Sequence, residues 1–177
     1  MTAHADRLEA AVRERELDLL LVTDLGNVRW ATGFTGSNGL ALIGPDTRTF
    51  VTDFRYLSQS ADEVPEFRRE IASSDLLAGA IGTLPPGASL RVGYDDAAMS
   101  VKTFAHLQEL VGPEVELVAA GGVVEELRAV KDPEEVARIR AAAQLADAAL
   151  AAALERGLVG RTEREGALDL EFEQRRL

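Results

Sequence analysis

The stretch NVRWATGFTGSNGLALIGPD, from Asn27 to Asp46, carries the clearest structural signal in this sequence. Four glycines, at positions 33, 36, 39 and 44, lie between a tryptophan-bearing segment and the end of the apolar run GLALIG. A short apolar run bounded by turn residues is typical of a buried strand, and the Pro-Asp pair that follows favours a chain reversal. The segment before the run predicts a tight loop in which glycines supply positive φ angles.

The segments on either side extend this pattern to an α/β fold. LDLLLVT (Leu17–Thr23) predicts a buried strand, and RTFVTD (Arg48–Asp53) predicts a strand that pairs with GLALIG as a hairpin over residues 39–53. FRREIAS, SLRVGYD and VELVAAG predict further strands, with helical segments between them. Interleaved strands and helices over roughly 120 residues indicate one α/β domain, and the hairpin makes its sheet mixed.

Two helix starts follow in the last third of the sequence. Asp132 precedes Pro133, and Glu135 follows in the first turn, where its charge favours the helix dipole. Thr162 and Glu165 form a T-x-x-E capping box. Both positions therefore predict helices with defined first turns.

The composition changes after Gly121-Gly122 and becomes almost entirely helix-forming. We therefore predict an α/β domain at 1–122, a linker at 123–132 and helices at 133–177. Both helices carry long apolar stripes, and no later sequence covers them. This pattern predicts a truncated chain, unless the two helices pack on the α/β domain or on a second copy of the chain.

The composition argues against several classes of protein. The absence of cysteine removes disulfide scaffolds, cysteine nucleophiles and thiolate metal sites, and it is compatible with a cytoplasmic protein. A net charge of -11 disfavours binding to nucleic acid or to an anionic membrane surface. No segment approaches the ~20 apolar residues of a membrane span, and the N-terminus lacks the features of a signal peptide.

The sequence contains none of the common catalytic motifs. The glycines lead into a strand and not into a helix, which argues against a dinucleotide site, and no P-loop or G-x-S-x-G motif occurs. His4 and His106 have no constellation of carboxylates around them that would hold a metal. Trp30, Phe34, Phe54 and Tyr56 form a local aromatic group around the glycine-rich segment. Such a group either packs in a core or lines the mouth of a cleft.

Taken in order, these segments resemble a known family. LDLLLVTDLGNVRWATGFTGSNGLALIGPD, followed by FVTDFRYLSQSADEV, resembles the N-terminal domain of Xaa-Pro aminopeptidases and Xaa-Pro dipeptidases (prolidases), members of the creatinase-like pita-bread group. LRAVKDPEEVARIRAAAQLADAAL is similar to the junction and first helix of that group's catalytic domain. GLVGRTEREGALDLEF is similar to the next turn and helix, so the resemblance covers nearly the whole chain.

The resemblance implies the non-catalytic, N-terminal part of a metallopeptidase that hydrolyses the bond before proline in short peptides. In the family, two divalent metal ions, commonly manganese, cobalt or zinc, activate a bridging water. Two Asp, one His and two Glu hold these ions, and all five lie beyond the equivalent of Leu177. We therefore expect no catalytic residue, metal ligand or cofactor in this chain, and no activity without the missing C-terminal catalytic domain.

The resemblance also implies a role for the glycine-rich loop, defined here as Phe34–Asn38. In the family, the equivalent loop can lean over the active site of the neighbouring subunit in a homodimer and limit it to short substrates. We expect Ser37 and Asn38 to supply hydrogen bonds to the substrate. Trp30 and Phe34 are expected to supply an apolar surface beside it.

The TDFRY segment resembles the same family but carries a different expectation. Arg55 and Tyr56 are expected to be structural, with Arg55 pairing a carboxylate inside the domain. No substrate contact is assigned to either side chain.

Two alternatives remain open on sequence grounds. Creatinase-type hydrolases use the same fold on a non-peptide C–N bond, and the residues that decide between the two reactions lie in the missing half. A metal-free binding or scaffold module is the other, since relatives of this kind occur among histone chaperones and the acidic charge suits a basic partner. The negative charge of this chain is, however, dispersed and forms no long acidic run.

Overall fold

A computed structural model describes residues 2–177 of the chain, which divides into two compact units, Met1–Ala129 and Val130–Leu177. The first unit contains a six-stranded sheet in the order β4-β3-β2-β1-β5-β6. The strands are β1 (Leu19–Val22), β2 (Gly39–Gly44), β3 (Thr47–Asp53), β4 (Arg68–Ala72), β5 (Leu90–Tyr94) and β6 (Val115–Ala119). All six coincide with predicted strands to within two residues at each end.

The sheet is mixed, as predicted, because β2 alone runs against the other five strands. It pairs antiparallel with β1 and β3, whereas β3–β4, β1–β5 and β5–β6 are parallel pairs. The carboxyl ends of five strands therefore share one edge of the sheet with the amino end of β2; we call this the carboxyl edge. Gly39, the first residue of β2, pairs with Thr52, so the glycine-rich loop arrives at the carboxyl edge beside the end of β3.

Helices cover the sheet on both faces. They are α1 (Thr2–Glu14), α2 (Leu25–Thr32), α3 (Leu57–Glu63), α4 (Leu76–Ile81), α5 (Val101–Leu110) and α6 (Val123–Ala129), with a 3₁₀ turn at Phe54–Tyr56 before α3. Successive strand residues point to opposite faces and build two apolar layers. Leu20 and Ile43 join the layer under α1, α2 and α6, whereas Leu21 and Leu42 join the layer under α4 and α5.

Helix α2 occupies part of the stretch that the sequence predicted to be a loop. The Asp24 side chain accepts a hydrogen bond from the backbone N–H of Asn27 at 2.9 Å and caps its start. Gly33, with φ 85°, ends it and donates to the carbonyl of Arg29 at 2.8 Å. Two turns are too short for a clear hydrophobic period, so the helix is defined by its caps. Of the four glycines, only Gly33 has the expected positive φ.

Residues 123–132 were expected to be a linker, but α6 occupies most of that range. Val123 and Val124 are buried in the apolar layer that also contains α1 and α2. Two adjacent valines after Gly122, which has φ 85°, are enough to dock the segment on the first unit.

The second unit is a pair of packed helices, α7 (Pro133–Glu155) and α8 (Glu163–Arg176). Both predicted starts are confirmed, since a capping box is present at the beginning of each helix. The Glu173 carboxylate is 1% exposed and accepts hydrogen bonds from Arg156 and, at 2.8 Å, from Arg176. None of the helices described in residues 2–177 is long and apolar enough to cross a membrane.

Candidate functional site

The glycine-rich loop connects α2 to β2 and begins with a fixed backbone. Thr32 donates its hydroxyl to the carbonyl of Val28 at 2.7 Å, and its oxygen accepts the backbone N–H of Phe34 at 3.1 Å. Together with the left-handed turn at Gly33, these bonds set the direction in which the loop leaves the helix.

Phe34 is the apolar anchor of the loop. Its side chain is 1% exposed, and its ring centroid lies 4.6 Å from that of Phe50 and 5.3 Å from that of Tyr56, edge-on to the latter. Aromatic pairs in these geometries add stability beyond the area they bury. The ring thus packs inside its own domain. Any apolar surface that the loop offers to another molecule comes from other residues.

The backbone of Gly36 lies close to the rings of Phe34 and Tyr56. A Cβ atom at this position would lie 2.3 Å from Cζ of Phe34 and 2.7 Å from Cε1 of Tyr56. Both distances are shorter than van der Waals contact, and the Phe34 ring also packs against Phe50, with ring centroids 4.6 Å apart. Glycine is therefore required here by close approach and not by a positive φ.

Tyr56 fastens the middle of the loop. Its hydroxyl lies 2.6 Å from Oγ of Ser37 and accepts the Ser37 backbone N–H at 3.2 Å. These bonds lower the pKa of Tyr56 below its ordinary value. The Ser37 side chain contributes most and the Ser37 backbone next. The guanidinium carbon of Arg55 lies 5.4 Å from the centre of the same ring.

Asp53 fastens the end of the loop. Its Oδ2 accepts from Nδ2 of Asn38 at 2.5 Å and from Arg55 at 2.7 Å, and its Oδ1 accepts from Nε of Arg55 at 2.9 Å. These bonds, with Arg55 contributing most and Asn38 next, hold the pKa of Asp53 well below its usual range. The predicted pairing of Arg55 with a carboxylate inside the domain is confirmed.

A third fastening holds Thr35 against α3. The carboxylate of Glu63 accepts the backbone N–H and the hydroxyl of Thr35, each at 2.7 Å, and Gln59 donates to the Thr35 hydroxyl at 2.9 Å. Burial acts to raise the pKa of Glu63, but the bonds from Thr35 and Gln59 outweigh it and lower that pKa. Contacts with the rest of the domain thus hold four of the five loop residues: Phe34, Thr35, Ser37 and Asn38.

Trp30 lies on α2 and packs in a different direction. Its ring stacks on His4 with centroids 4.4 Å apart, and the guanidinium carbon of Arg7 lies 5.4 Å from its centre. Of the four residues predicted to form the site, the structure gathers Phe34, Ser37 and Asn38 around the end of β3. It places the half-buried Trp30 against α1.

The residues that hold the loop were missed by sequence reasoning as parts of one site. Neither Asp53 nor Glu63 stands in a motif that ties it to the loop, since the loop residues that they bind lie 15 and 28 positions away in sequence. The D-x-R spacing of Asp53 and Arg55 is the one local signal that marks a carboxylate held by a nearby cation. Phe54, between them, is 73% exposed at the carboxyl edge and offers an apolar surface beside the loop.

The second histidine, His106, lies on α5 beside two carboxylates. Nε2 of His106 lies 2.5 Å from Oδ2 of Asp75, the residue that caps α4, and Nδ1 lies 3.7 Å from Glu109. The bond to Asp75 raises the pKa of His106, and the same bond lowers the pKa of Asp75. Within each unit taken separately, the described residues bring no three potential metal ligands together.

Comparison with known proteins gives consistent matches. A family profile described as Creatinase/Prolidase N-terminal domain matches residues 5–130. The uncharacterized peptidase YqhT of Bacillus subtilis (strain 168) is 35% identical over 159 residues, which make up 90% of this chain and 45% of that protein. The chain therefore spans about half the length of this relative.

Solved structures match in the same way. An Xaa-Pro dipeptidase from Bacillus anthracis superposes with a TM-score of 0.89 at 26% identity, covering 99% of this chain and 49% of that one. The N-terminal domain of the cytoplasmic peptidase PepQ from Mycobacterium tuberculosis H37Rv superposes with a TM-score of 0.63 at 35% identity. This match covers 71% of this chain and 98% of that one. The first match includes the helical second unit, whereas the second corresponds to an isolated N-terminal domain.

Proposed function

Because the chain belongs to the creatinase/prolidase N-terminal domain family, we propose that it is the N-terminal, non-catalytic part of a metal-dependent Xaa-Pro peptidase. The observation that carries this proposal is the match to the Xaa-Pro dipeptidase from Bacillus anthracis, over 99% of this chain and 49% of that one. The longer protein hydrolyses the bond before proline in short peptides. It works in the cytoplasm, as the name of the mycobacterial relative says of that protein.

The chemistry is assigned to protein beyond Leu177. Two divalent ions, manganese, cobalt or zinc, supply an activated water there when bound. In this proposal none of residues 2–177 is a ligand of that centre, and they form a folded domain beside it. The chain by itself therefore has no peptidase activity.

The second unit supplies a docking surface for that remaining half. Large apolar side chains on both of its helices are exposed in this chain: Val136, Ile139, Leu145, Leu150, Leu154, Leu168 and Phe172. Between the helices lies a groove of about 360 Å³. Exposed apolar surface of this extent is typical of an interface that another part of a protein covers.

The glycine-rich loop acts across a homodimer and limits the partner subunit's active site to short peptides. The multiple fastenings of the loop support this role, because a loop that restricts substrate length must resist displacement by the substrate. Ser37 and Asn38 lie at its surface and contact the peptide. Phe34 anchors the loop in the core of its own domain, whereas Trp30 packs against His4 of α1 and is assigned no substrate contact.

The decisive experiment compares the longer protein with the 177-residue chain. Both are purified and assayed against an Xaa-Pro dipeptide and an Xaa-Pro-Xaa tripeptide, with manganese, cobalt or zinc added in turn. We expect metal-dependent hydrolysis by the longer protein and none by the short chain. Hydrolysis by the short chain, or no hydrolysis of either peptide by the longer protein, would overturn the proposal.

The loop is tested in the longer protein by replacing Ser37 and Asn38 with alanine together. We expect kcat/KM for short proline peptides to fall and longer peptides to become better substrates. Sedimentation of the wild type is expected to show a dimer. An unchanged preference for peptide length in the double variant contradicts the role of the loop.

A further inference from the structure

The orientation of the Asn38 amide is decided by its neighbour. An asparagine side chain carries a donor group at one end and an acceptor at the other, and a carboxylate can only accept. Asp53 is ionised at neutral pH, since its pKa is lowered by Arg55 and Asn38. Nδ2 of Asn38 must therefore face Asp53, as it does at 2.5 Å, and Oδ1 must face the other way.

Oδ1 of Asn38 reaches the surface. It has no hydrogen-bond partner within residues 2–177, and that part of the chain holds no buried side-chain polar atom without a partner. The backbone of Asn38 is held as well, because its carbonyl accepts the Thr52 hydroxyl at 2.6 Å. A fixed backbone and a fixed Nδ2 together aim Oδ1 in one direction.

Asp53 is itself rigid. Arg55 donates two side-chain N–H groups to it, one to each oxygen, and the Arg55 backbone N–H adds a third bond at 2.9 Å. The Asp53 residue is 6% exposed, so water competes poorly for these bonds. The Ser37 hydroxyl, in contrast, is already bound to Tyr56. Among the side chains described at this end of the loop, Oδ1 of Asn38 is thus the acceptor that no other residue engages.

We propose that Asp53 is a positioning residue that orients Asn38, and that the Oδ1 atom so presented accepts a hydrogen bond from the N-terminal ammonium of the peptide substrate. This inference rests on the proposed function. Proline has no backbone N–H, so the ammonium is the one backbone donor of an Xaa-Pro dipeptide. An acceptor fixed on the loop selects that group and leaves the carboxylate end of the peptide unrecognised.

The test uses the longer protein with two ligands that differ only in the amine. Alanyl-proline is the substrate, and propionyl-proline, which lacks the amine, is added as a competing ligand. In N38L and D53N we expect the KM for alanyl-proline to rise about tenfold, the scale of a lost hydrogen bond to a charged group. We expect kcat and the inhibition constant of propionyl-proline to stay within about twofold, whereas a distorted site would change both.

D75N is the matched control. Asp75 also caps a helix after a strand of the carboxyl edge, and it pairs with His106 and shares no hydrogen-bond partner with Asn38 among the described residues. We expect its KM for alanyl-proline to equal that of the wild type. In the 177-residue chain, D53N is expected to shift the side-chain amide resonances of Asn38 in ¹H–¹⁵N spectra, and D75N to leave them in place.

The possible outcomes distinguish a failure of this inference from a failure of the proposed function. Hydrolysis of alanyl-proline with an unchanged KM in N38L overturns this inference and leaves the proposed function standing. Unshifted Asn38 amide resonances in D53N overturn the positioning role of Asp53. A wild-type protein that does not hydrolyse alanyl-proline overturns this inference, and one that hydrolyses neither this dipeptide nor the Xaa-Pro-Xaa tripeptide overturns the proposed function as well.

Discussion

The hydroxyl of Tyr56 lies 2.6 Å from Oγ of Ser37, across a separation of nineteen residues in sequence. The same hydroxyl accepts the Ser37 backbone N–H at 3.2 Å. One side chain at the end of β3 therefore fixes both the backbone and the side chain of the residue at the exposed centre of the glycine-rich loop. The loop is therefore held at this residue by a side chain of its own domain.

Replacing Tyr56 with phenylalanine is expected to loosen the loop without unfolding the domain. The ring still packs edge-on to Phe34, but both bonds to Ser37 are lost. We expect the Ser37 amide to exchange with solvent faster, as measured by hydrogen-exchange NMR. Tyr94→Phe is the control, because Tyr94 stacks on Phe104 in another part of the unit. Equal Ser37 exchange in Y56F and the wild type would contradict the fastening.

Replacing Phe34 with alanine is expected to destabilise the first unit strongly. The side chain is fully enclosed, so its removal leaves a cavity and lowers the free energy of unfolding by about 3–5 kcal/mol. Phe54→Ala removes the same group from a site that is 73% exposed, and it should change that free energy by no more than about 0.5 kcal/mol. Urea denaturation followed by tryptophan fluorescence measures both. Similar losses in the two variants would show that Phe34 is not buried.

Replacing Gly36 with alanine is expected to lower stability by overpacking. The new Cβ would lie 2.3 Å from Cζ of Phe34, and moving that ring costs about 1–3 kcal/mol. Gly166→Ala is the matched change at a position in α8 where a methyl group fits. Its Cβ would lie 3.6 Å from Cδ2 of Leu158, an ordinary van der Waals distance. It should stabilise α8 by about 0.5–1 kcal/mol. Thermal denaturation distinguishes the opposite signs, and a neutral G36A would disprove the close approach.

The His106–Asp75 pair is expected to make stability depend on pH. The pKa of His106 is raised above 6.5, so its contribution is complete below 6.5 and disappears as the pH rises through the folded-state pKa. The pKa of Asp75 is lowered below 3.8, so its contribution is complete above 3.8 and disappears as the pH falls through the folded-state pKa. The pair therefore stabilises the fold most between these two values.

Thermal denaturation at pH 6 and pH 9 checks this expectation. The difference in Tm between the wild type and H106Q should be larger at pH 6 than at pH 9. The Tm difference between the wild type and D75N should likewise be larger at pH 6 than at pH 9, because D75N removes the other partner of the pair. A Tm difference between H106Q and the wild type that is the same at both pH values would rule out the ion pair.

Some elements could be predicted from the sequence because neighbouring residues alone determine them. The hairpin at 39–53 follows from an apolar run, a Pro-Asp turn and a second run. The starts of α7 and α8 follow from capping side chains three residues apart. Helix α2 was missed because eight residues are too few to show a period. The exposure of Phe34 was misjudged because burial depends on what packs around the ring.

The sequence by itself determined the mixed α/β fold, its strands and the family, because hydrophobic periods, caps and turn residues act over a few positions. Only the tertiary structure decided what the glycine-rich loop presents. The pairs Asn38–Asp53 and Ser37–Tyr56 join residues 15 and 19 positions apart through the register of β2 on β3. Hydrogen bonds depend on distance in space, so no local pattern in the chain encodes which atom of Asn38 faces outward.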